Sequence, residues 1–259
     1  MKLRSLALAC ATLAYLSGCS GSSSSSAGGA TVSGVAASGK ALAGVTVTII
    51  DSSGQNVQTA LTDANGNFTL ALKGTAPFIL TAPFNDADGS AATLSSVINP
   101  SSTQASAGNT VRANLNPLTS LITQRVLGLI PNGSPTAAQI GAANISTASI
   151  SQAVSDVALP LQPLFTALNV PAAETGDPIG STAYQAIASD PLDNLFDLAH
   201  FTVHTGQIAV GVDANRAVLT IPATGSVGSA LPATAIQSVV ALNNGPTITP
   251  IQNVIVIVG

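Results

Sequence analysis

The sequence predicts an α+β protein, and three changes of hydrophobic pattern along the chain support that prediction. Apolar and polar residues alternate from Thr31 onward, interrupted by turns rich in Gly, Asn and Asp. After Pro117 the apolar residues recur at helical spacing, and the alternation returns at Phe201. We therefore expect an N-terminal antiparallel β-sandwich, then a small helical region, then C-terminal β-hairpins.

Composition excludes several classes of protein. Of 259 residues, 46% are hydrophobic and 7% are charged, which is the opposite of the balance found in disordered chains. Seven basic residues against eleven acidic ones, with no Lys/Arg run, argue against a nucleic-acid partner. A chain of this length can bury a sizeable core.

Residues 1–18 are typical of a signal peptide. Lys2 and Arg4 give a basic start, and an apolar run follows from Leu6 to Leu16. This run is too short to cross a membrane as a helix, which takes about 20 residues. We expect the segment to direct export and then to be removed.

Cys19 is the predicted site of lipid attachment. Leu16-Ser17-Gly18-Cys19 resembles a bacterial lipobox, in which the thiol receives a diacylglyceryl group and the chain is cut before the Cys. The alternative is an ordinary signal peptide with an incidental Cys. The lipobox implies a cell-envelope lipoprotein whose membrane partner is reached through the lipid. Ser20, a non-acidic residue after the Cys, implies the outer membrane, on its periplasmic or its surface face.

The segment 19–30 follows as a predicted tether. Its Ser- and Gly-rich stretch buries nothing and would behave as a flexible coil between membrane and folded part. Cys10 would leave with the signal peptide, so the mature chain would have neither a free thiol nor a disulfide.

Residues 31–115 are predicted to form the sandwich. Strands are expected at 45–50, 57–61, 67–72, 77–81 and 110–115. Turns fall between them, and Asn65-Gly66 is a strong hairpin signal.

This stretch also resembles a carboxypeptidase regulatory-like domain of the transthyretin-like type. The resemblance lies in Gly34, Lys40 to Val45, Gly54 and Thr62 to Phe68, with Ala41 where the family usually has Pro. It implies a transthyretin/Ig-like sandwich that is a non-catalytic accessory module.

Residues 116–199 are predicted to be helical. Asn116-Pro117 is typical of an N-cap with Pro at the first helical position, and the apolar stripe that follows ends at Pro131-Asn132-Gly133. Further helices are predicted at 136–143, 149–159 (ended by Pro160 and Pro163), 164–168, 184–188 and 192–199. The Ala-rich composition predicts a small bundle with close helix packing.

Residues 200–259 are predicted to form β-hairpins and an apolar C-terminal strand. Strands are expected around 201–203, 208–212 and 218–221. The apolar run Ile251–Val258 would pair into a sheet or be donated to a partner.

Few side chains offer metal chemistry. His200 and His204 have zinc-helix spacing, but the residues between them favour a strand, which would hold them about 13 Å apart. Asp190, Asp193 and Asp197 could gather calcium, although capping of a helix N-terminus explains them better. Asp86-Ala87-Asp88-Gly89, half a calcium loop, reads as a plain turn, and Asp63 with Asn65 and Asn67 as hairpin chemistry. We predict no metal and no cofactor.

Catalytic groups are equally scarce. Gly-x-Ser-x-Gly, phosphate-loop and dinucleotide motifs are all missing from the sequence, and a carboxylate pair could come only from Glu174 with Asp177. The sequence therefore predicts a non-catalytic, membrane-tethered binding module for an envelope protein or glycan. The alternatives are an assembly accessory that donates its C-terminal strand, and a hydrolase using Asp and His.

Overall fold

The computed structural model describes residues 29–85, 89–128, 134–204, 207–213 and 216–222, with the backbone alone at 200 and over 202–219. The predicted signal peptide, Cys19, residues 19–28 of the predicted tether and the 251–258 strand lie outside these residues. The end of the predicted tether is wrong, because Gly29 forms a β-bridge with Ser106 and Ala30 is fully buried in the core. Within them the chain is α+β, as the sequence predicts. The strands are β1 (Thr31–Val35), β2 (Thr46–Ile50), β3 (Asn56–Leu61), β4 (Asn67–Ala71), β5 (Phe78–Asn85), β6 (Ala91–Ile98), β7 (Thr110–Arg112), β8 (His200–His204), β9 (Gln207–Asp213) and β10 (Arg216–Pro222). The helices are α1 (Pro117–Leu127), α2 (Ala137–Ala142), α3 (Thr147–Ala167), α4 (Ala172–Gly176) and α5 (Pro191–Leu198).

Two sheets form the N-terminal, sandwich-like part. One is antiparallel throughout, in the order β3-β2-β5-β6, and the other has the order β4-β1-β7. Apolar residues from both sheets, including Val32, Ile49 and Leu80, are fully buried in one hydrophobic core. Their alternation with more exposed neighbours along β2 and β4 is what the period-two pattern predicted.

The turn predicted at Asn65-Gly66 is confirmed, but the predicted hairpin is wrong, because β3 and β4 on either side of the turn belong to different sheets. Asp63 Oδ1 accepts hydrogen bonds from the backbone N–H groups of Asn65 and Asn67, each at 2.8 Å. Gly66 has φ +75°, and a Cβ at this position would lie 2.4 Å from the carbonyl oxygen of Ala36. The polar residues of this segment therefore shape a turn, as the sequence predicts.

Two features of the sheets differ from the prediction. β7 pairs with β1 in parallel, so the sandwich is not antiparallel throughout. β6 was not predicted, because its Ser95 and Ser96 interrupt the apolar pattern although both are buried. Helix α1 satisfies the backbone at Ser95: its N–H donates to Ser120 Oγ and its carbonyl accepts from Thr119 Oγ1, each at 2.9 Å.

Helix α1 begins where the sequence predicts. Asn116 caps it by accepting from the Thr119 N–H at 2.9 Å, and Pro117 occupies the first turn. The helix lies against β6 and α3, and nearly all of its residues are buried. Arg125 joins it to α3 through an ion pair with Asp156 at 2.6 Å. The helices are thus packed onto the sheet as well as onto one another.

The predicted break at Pro160 and Pro163 is wrong, because α3 runs through both as one helix of 21 residues. Proline removes a backbone donor and usually costs a helix interior about 3 kcal/mol. Here a continuous buried stripe opposes that cost, running from Ala153 through Pro160 to Phe165. Tertiary packing outweighs local propensity.

The prediction of a helix at 184–188 is also wrong. The helices predicted at 136–143 and 192–199 are confirmed as α2 and α5. The 184–188 segment is irregular, because the Gln185 N–H donates to Asp190 Oδ2 at 2.7 Å rather than to a helical carbonyl. Tyr184 nevertheless anchors the segment, since its side chain is fully buried against Phe196.

The returning alternation after α5 is confirmed as a third sheet, in the antiparallel order β10-β9-β8. In the part of the chain described, none of the helices combines the length and hydropathy needed to span a bilayer.

Candidate functional site

A cleft of about 1080 Å³ opens between the two sheets and the helices. Its walls are the end of β6 with the following loop, strand β7, one face of α3, and the end of α4 with the segment that follows it. Both β6 and β7 are edge strands of their sheets. The cleft therefore lies where the two sheet edges meet the helices, and its size is at the upper end for small-molecule sites.

The α3 wall is a single helix face. Its lining residues recur at intervals of three and four: Thr147, Ile150, Ser151, Val154, Ser155 and Ala158. This spacing alternates hydroxyl and apolar side chains along the wall. A long helix that is buried on its other face holds these side chains in place.

The loop after β6 forms a second wall, and its own hydrogen bonds fix it. The Ser101 N–H donates to Gln104 Oε1 at 2.9 Å, and Asn109 Nδ2 donates to the carbonyl of Thr103 at 2.7 Å. Asn99 Nδ2 reaches the carbonyl of Ile145 at 3.1 Å and so fastens the loop to the helical part. This wall is preformed, which lowers the entropy lost on binding.

Asn114 secures the third wall. Its Nδ2 donates to the carbonyl of Ser181 at 2.9 Å, and its backbone N–H donates to the carbonyl of Ile179 at 2.8 Å. Its Oδ1 accepts from the Val35 N–H of β1 at 3.3 Å. One fully buried side chain therefore connects the core sheet to the segment that lines the cleft.

Among the lining residues that the structure describes, Arg112 is the only Lys or Arg, and it stands on β7. In the described part of the chain it makes no ion pair, and its Nε is buried without a hydrogen-bond partner. Burial lowers the pKa of the guanidinium from its usual value. The cleft wall therefore contains a positive charge that none of the described residues pairs with at ion-pair distance.

Asp177 is the only acidic residue in the described part of the lining, and it stands on the segment that follows α4. Its Oδ1 accepts from the Gly180 N–H at 2.8 Å. The side chain is exposed. The cleft is therefore polarised, with a cation on the β7 wall and an anion on the wall after α4.

Behind this last wall lies a buried group of carboxyls. Glu174 is 2% exposed and Asp193 is 2% exposed, and Asp190 lies between them in sequence at 6%. Both oxygens of Asp190 accept backbone hydrogen bonds, from Leu192 and Asp193 on one oxygen and from Gln185 on the other. Asp193 accepts from the Tyr184 hydroxyl at 3.3 Å.

The Glu174 carboxyl meets the Asp190 side chain and the backbone of Leu192. Its Oε2 is buried without a donor among the described residues. Burial raises the pKa of Glu174 to about 7, and the Asp190 carboxylate adds to the shift. Because the Asp190 oxygens already accept from the backbone, a proton on Glu174 would turn the contact between the two carboxyls into a hydrogen bond.

The pKa of Asp193 is also raised to about 7, by burial first and then by the carboxylates of Asp197 and Asp190. None of Glu174, Asp190 or Asp193 lines the cleft. The carboxyl cluster of Glu174, Asp190 and Asp193 therefore lies behind this wall and supports it, and does not form part of the cleft surface.

The sequence-predicted candidates fall in different places. Asp190 is the N-cap of α5, as predicted. The pair considered between Glu174 and Asp177 does not form, since Glu174 is buried against Asp190 while Asp177 is exposed.

The backbone places both histidines in one strand. His200 and His204 are the two ends of strand β8, as their flanking residues predict. Across the described residues, no three His, Cys, Asp or Glu side chains gather closely enough to hold a metal ion.

Sequence reasoning missed Arg112 and the pairing of Glu174 with Asp190. Arg112 stands in a short, weakly patterned strand, so only its rarity in a chain with seven basic residues could have drawn attention. Glu174 is the only Glu in the chain and lies between Pro171 and Pro178. Neither signal indicates a contact with residues far along the chain.

The fold and the cleft together define an α+β protein with sandwich-like sheets and a preformed, ligand-sized site. Searches with protein-family models, against characterised proteins and against solved structures find no significant match.

Proposed function

We propose that the protein is a non-catalytic lipoprotein of the cell envelope that binds an envelope protein or glycan in the cleft. The observation that carries the binding role is Arg112, a partly desolvated cation without a counter-charge among the described residues, in the wall of a cleft of about 1080 Å³. Such a group costs free energy unless something pairs with it. A bound ligand can supply that pair.

The membrane attachment rests on the N-terminal sequence. Leu16-Ser17-Gly18-Cys19 and the Ser/Gly-rich stretch that follows support a lipid on Cys19 and a tether that ends before Gly29, where the folded part begins. The non-acidic Ser20 supports the outer membrane as the destination. The cleft would then work at a distance from the bilayer set by the tether.

For residues 31–115 we propose the transthyretin-like fold of carboxypeptidase regulatory-like domains. The Asp63–Asn67 turn and the buried Phe68 that follows it support this assignment. In this arrangement the module supplies the β6 and β7 walls, and the helical region supplies the others.

Replacing Ser151 by tryptophan is expected to abolish ligand binding. Ser151 is exposed on the cleft face of α3, so an indole there would occupy the cleft without entering the core. Full-chain protein immobilised on a sensor would be exposed to polysaccharide and protein fractions of the source envelope. We expect retention by the wild type and a loss of at least about tenfold in affinity for Ser151→Trp.

Leu159→Trp is the matched control, because Leu159 lies on the same helix, 65% exposed and outside the cleft. It should bind as the wild type does. Equal binding by Ser151→Trp and the wild type would rule the cleft out as the ligand site.

The proposed lipid anchor on Cys19 can be tested separately from ligand binding. Cys19→Ser removes the thiol that the lipid would modify, so the protein should move from the membrane fraction to the soluble envelope fraction. Fractionation and mass spectrometry of the mature N-terminus measure this, with Cys10→Ser as the control that keeps the lipid. Membrane retention of Cys19→Ser would contradict the lipid anchor.

A further inference from the structure

We propose that the ligand of the cleft is an acidic glycan and that Arg112 holds the carboxylate of one of its uronic-acid residues. This inference rests on the proposed binding function and names its ligand class. It is argued from the charge in the cleft, from the chemistry of the walls and from the length of the strand that carries Arg112.

The positive charge of Arg112 favours an anionic ligand. A guanidinium presents a planar fork of donors that matches a carboxylate, and such pairs are among the strongest hydrogen bonds in proteins. Within the described residues Arg112 has no acidic partner, and the protein covers its Nε so that water does not hydrate it. An incoming carboxylate would meet a cation already stripped of part of its solvent, so little further desolvation is needed.

The walls favour a hydroxyl-rich ligand. Hydroxyl and side-chain amide groups lie along every wall, among them Thr103, Ser151, Ser155, Gln162 and Thr175. Aromatic residues, on which neutral sugar rings stack, are missing from the described lining. Affinity for a glycan would therefore have to come from charge, which selects an acidic glycan over a neutral one.

The same features count against a peptide. A peptide that adds to a sheet edge needs a run of free backbone groups, and β7 is only three residues long. Large side-chain anchors need deep apolar pockets, whereas hydroxyl residues interrupt the apolar residues along the α3 wall.

Asp177 narrows the class of acidic glycan that the cleft can bind. It places a negative charge on the wall after α4, so a second carboxylate of the ligand would be repelled there. The Asp177 carboxylate would, however, accept hydrogen bonds from hydroxyl groups of the ligand. The structure thus favours a glycan in which uronic-acid residues are separated by neutral sugars.

Paired oligosaccharides test the proposal. A set of oligosaccharides with different neutral backbones, each bearing a single uronic acid, would be titrated into the full chain by calorimetry beside twins whose carboxyl is reduced to an alcohol. We expect at least one acid to bind, with its reduced twin at least about tenfold weaker. Arg112→Ala should remove that preference, and Arg112→Lys should restore it only in part because the fork is lost.

Lys73→Ala is the matched control, since it removes an equal charge from an exposed residue outside the cleft. Equal binding of acid and twin, no binding of any acid, or an unchanged preference in Arg112→Ala would overturn the proposal. So would exclusive binding of a peptide with a free terminal carboxylate. If Ser151→Trp abolishes retention of envelope material while Arg112→Ala leaves it intact, the cleft remains the site and only the ligand class is wrong.

Discussion

Gly34→Ala is expected to destabilise the protein by at least about 3 kcal/mol, because β1 and β7 leave no room for a methyl group. A Cβ on Gly34 would lie 1.9 Å from the carbonyl oxygen of Ala113 and 2.7 Å from Cζ of Phe68. The first of these atoms is backbone and cannot rotate away. Relief requires β7 to separate from β1.

That separation would also disturb the cleft. The Ala113 N–H donates to the carbonyl of Ser33 at 2.8 Å, and Arg112 precedes Ala113 directly. Thermal unfolding of Gly34→Ala should show a melting temperature lower by roughly 6–12 °C for a chain of this size.

Gly141→Ala provides the contrast for this measurement. Gly141 lies in α2, where a Cβ would meet nothing within 4 Å. Alanine should therefore stabilise the helix by about 0.5–1 kcal/mol. A Gly34→Ala protein as stable as the wild type would show that β1 and β7 are not packed as described.

The second expected result concerns pH: stability should fall as the pH rises from about 5 to about 8. The pKa of Glu174 is raised from 4.5 to about 7 in the folded protein. Between these values the folded state holds a proton that the unfolded state has released, so the free energy of unfolding decreases with pH. The contribution is fully present below pH 4.5 and is lost as the pH passes through 7. A shift of this size corresponds to about 3 kcal/mol.

Asp193 acts in the same direction, over the window from 3.8 to about 7. The two groups share Asp190 as a neighbour, so their contributions belong to the cluster as a whole. Asp63 has the opposite sign: its hydrogen bonds with Asn67 lower the pKa, so its contribution is lost only when the solution becomes strongly acidic.

Glu174→Gln separates these effects. An amide stays uncharged at every pH and can donate to Asp190 as a protonated Glu would. The variant should match the wild type at pH 5 and exceed its stability at pH 8 by about 2–3 kcal/mol, measured by urea unfolding. Adding Asp193→Asn should flatten most of the remaining pH dependence.

Asp63→Asn serves as the control and should keep the slope of the wild type between pH 5 and pH 8. A wild-type stability that rises over this interval would contradict the buried, protonated cluster. So would a Glu174→Gln protein less stable than the wild type at pH 8.

Local signals were read correctly from the sequence wherever the physical cause is local. Asp63 folds its own turn through hydrogen bonds to residues two and four positions away, and Asn116 and Asp190 cap the helices that follow them directly. Alternation in β2 and helical spacing in α1 likewise depend on neighbours in sequence.

Signals whose meaning depends on distant residues were misread or missed. Pro160 is tolerated because the apolar stripe of α3 is buried on both sides of it. Ser95 belongs to a strand because α1 supplies partners for its backbone.

The sequence by itself determined the α+β class, the strand and helix segments with strong periodicity, and the turns and caps that their own polar residues form. Only the tertiary structure brought β6, β7, α3 and the segment after α4 together into a cleft, placed Arg112 in its wall without an ion-pair partner among the described residues, and placed Glu174 against Asp190. The two cases differ in the sequence separation of the interacting residues. Turns and caps form from interactions within a few residues, whereas burial and charge pairing depend on which distant segments the packed core brings into contact.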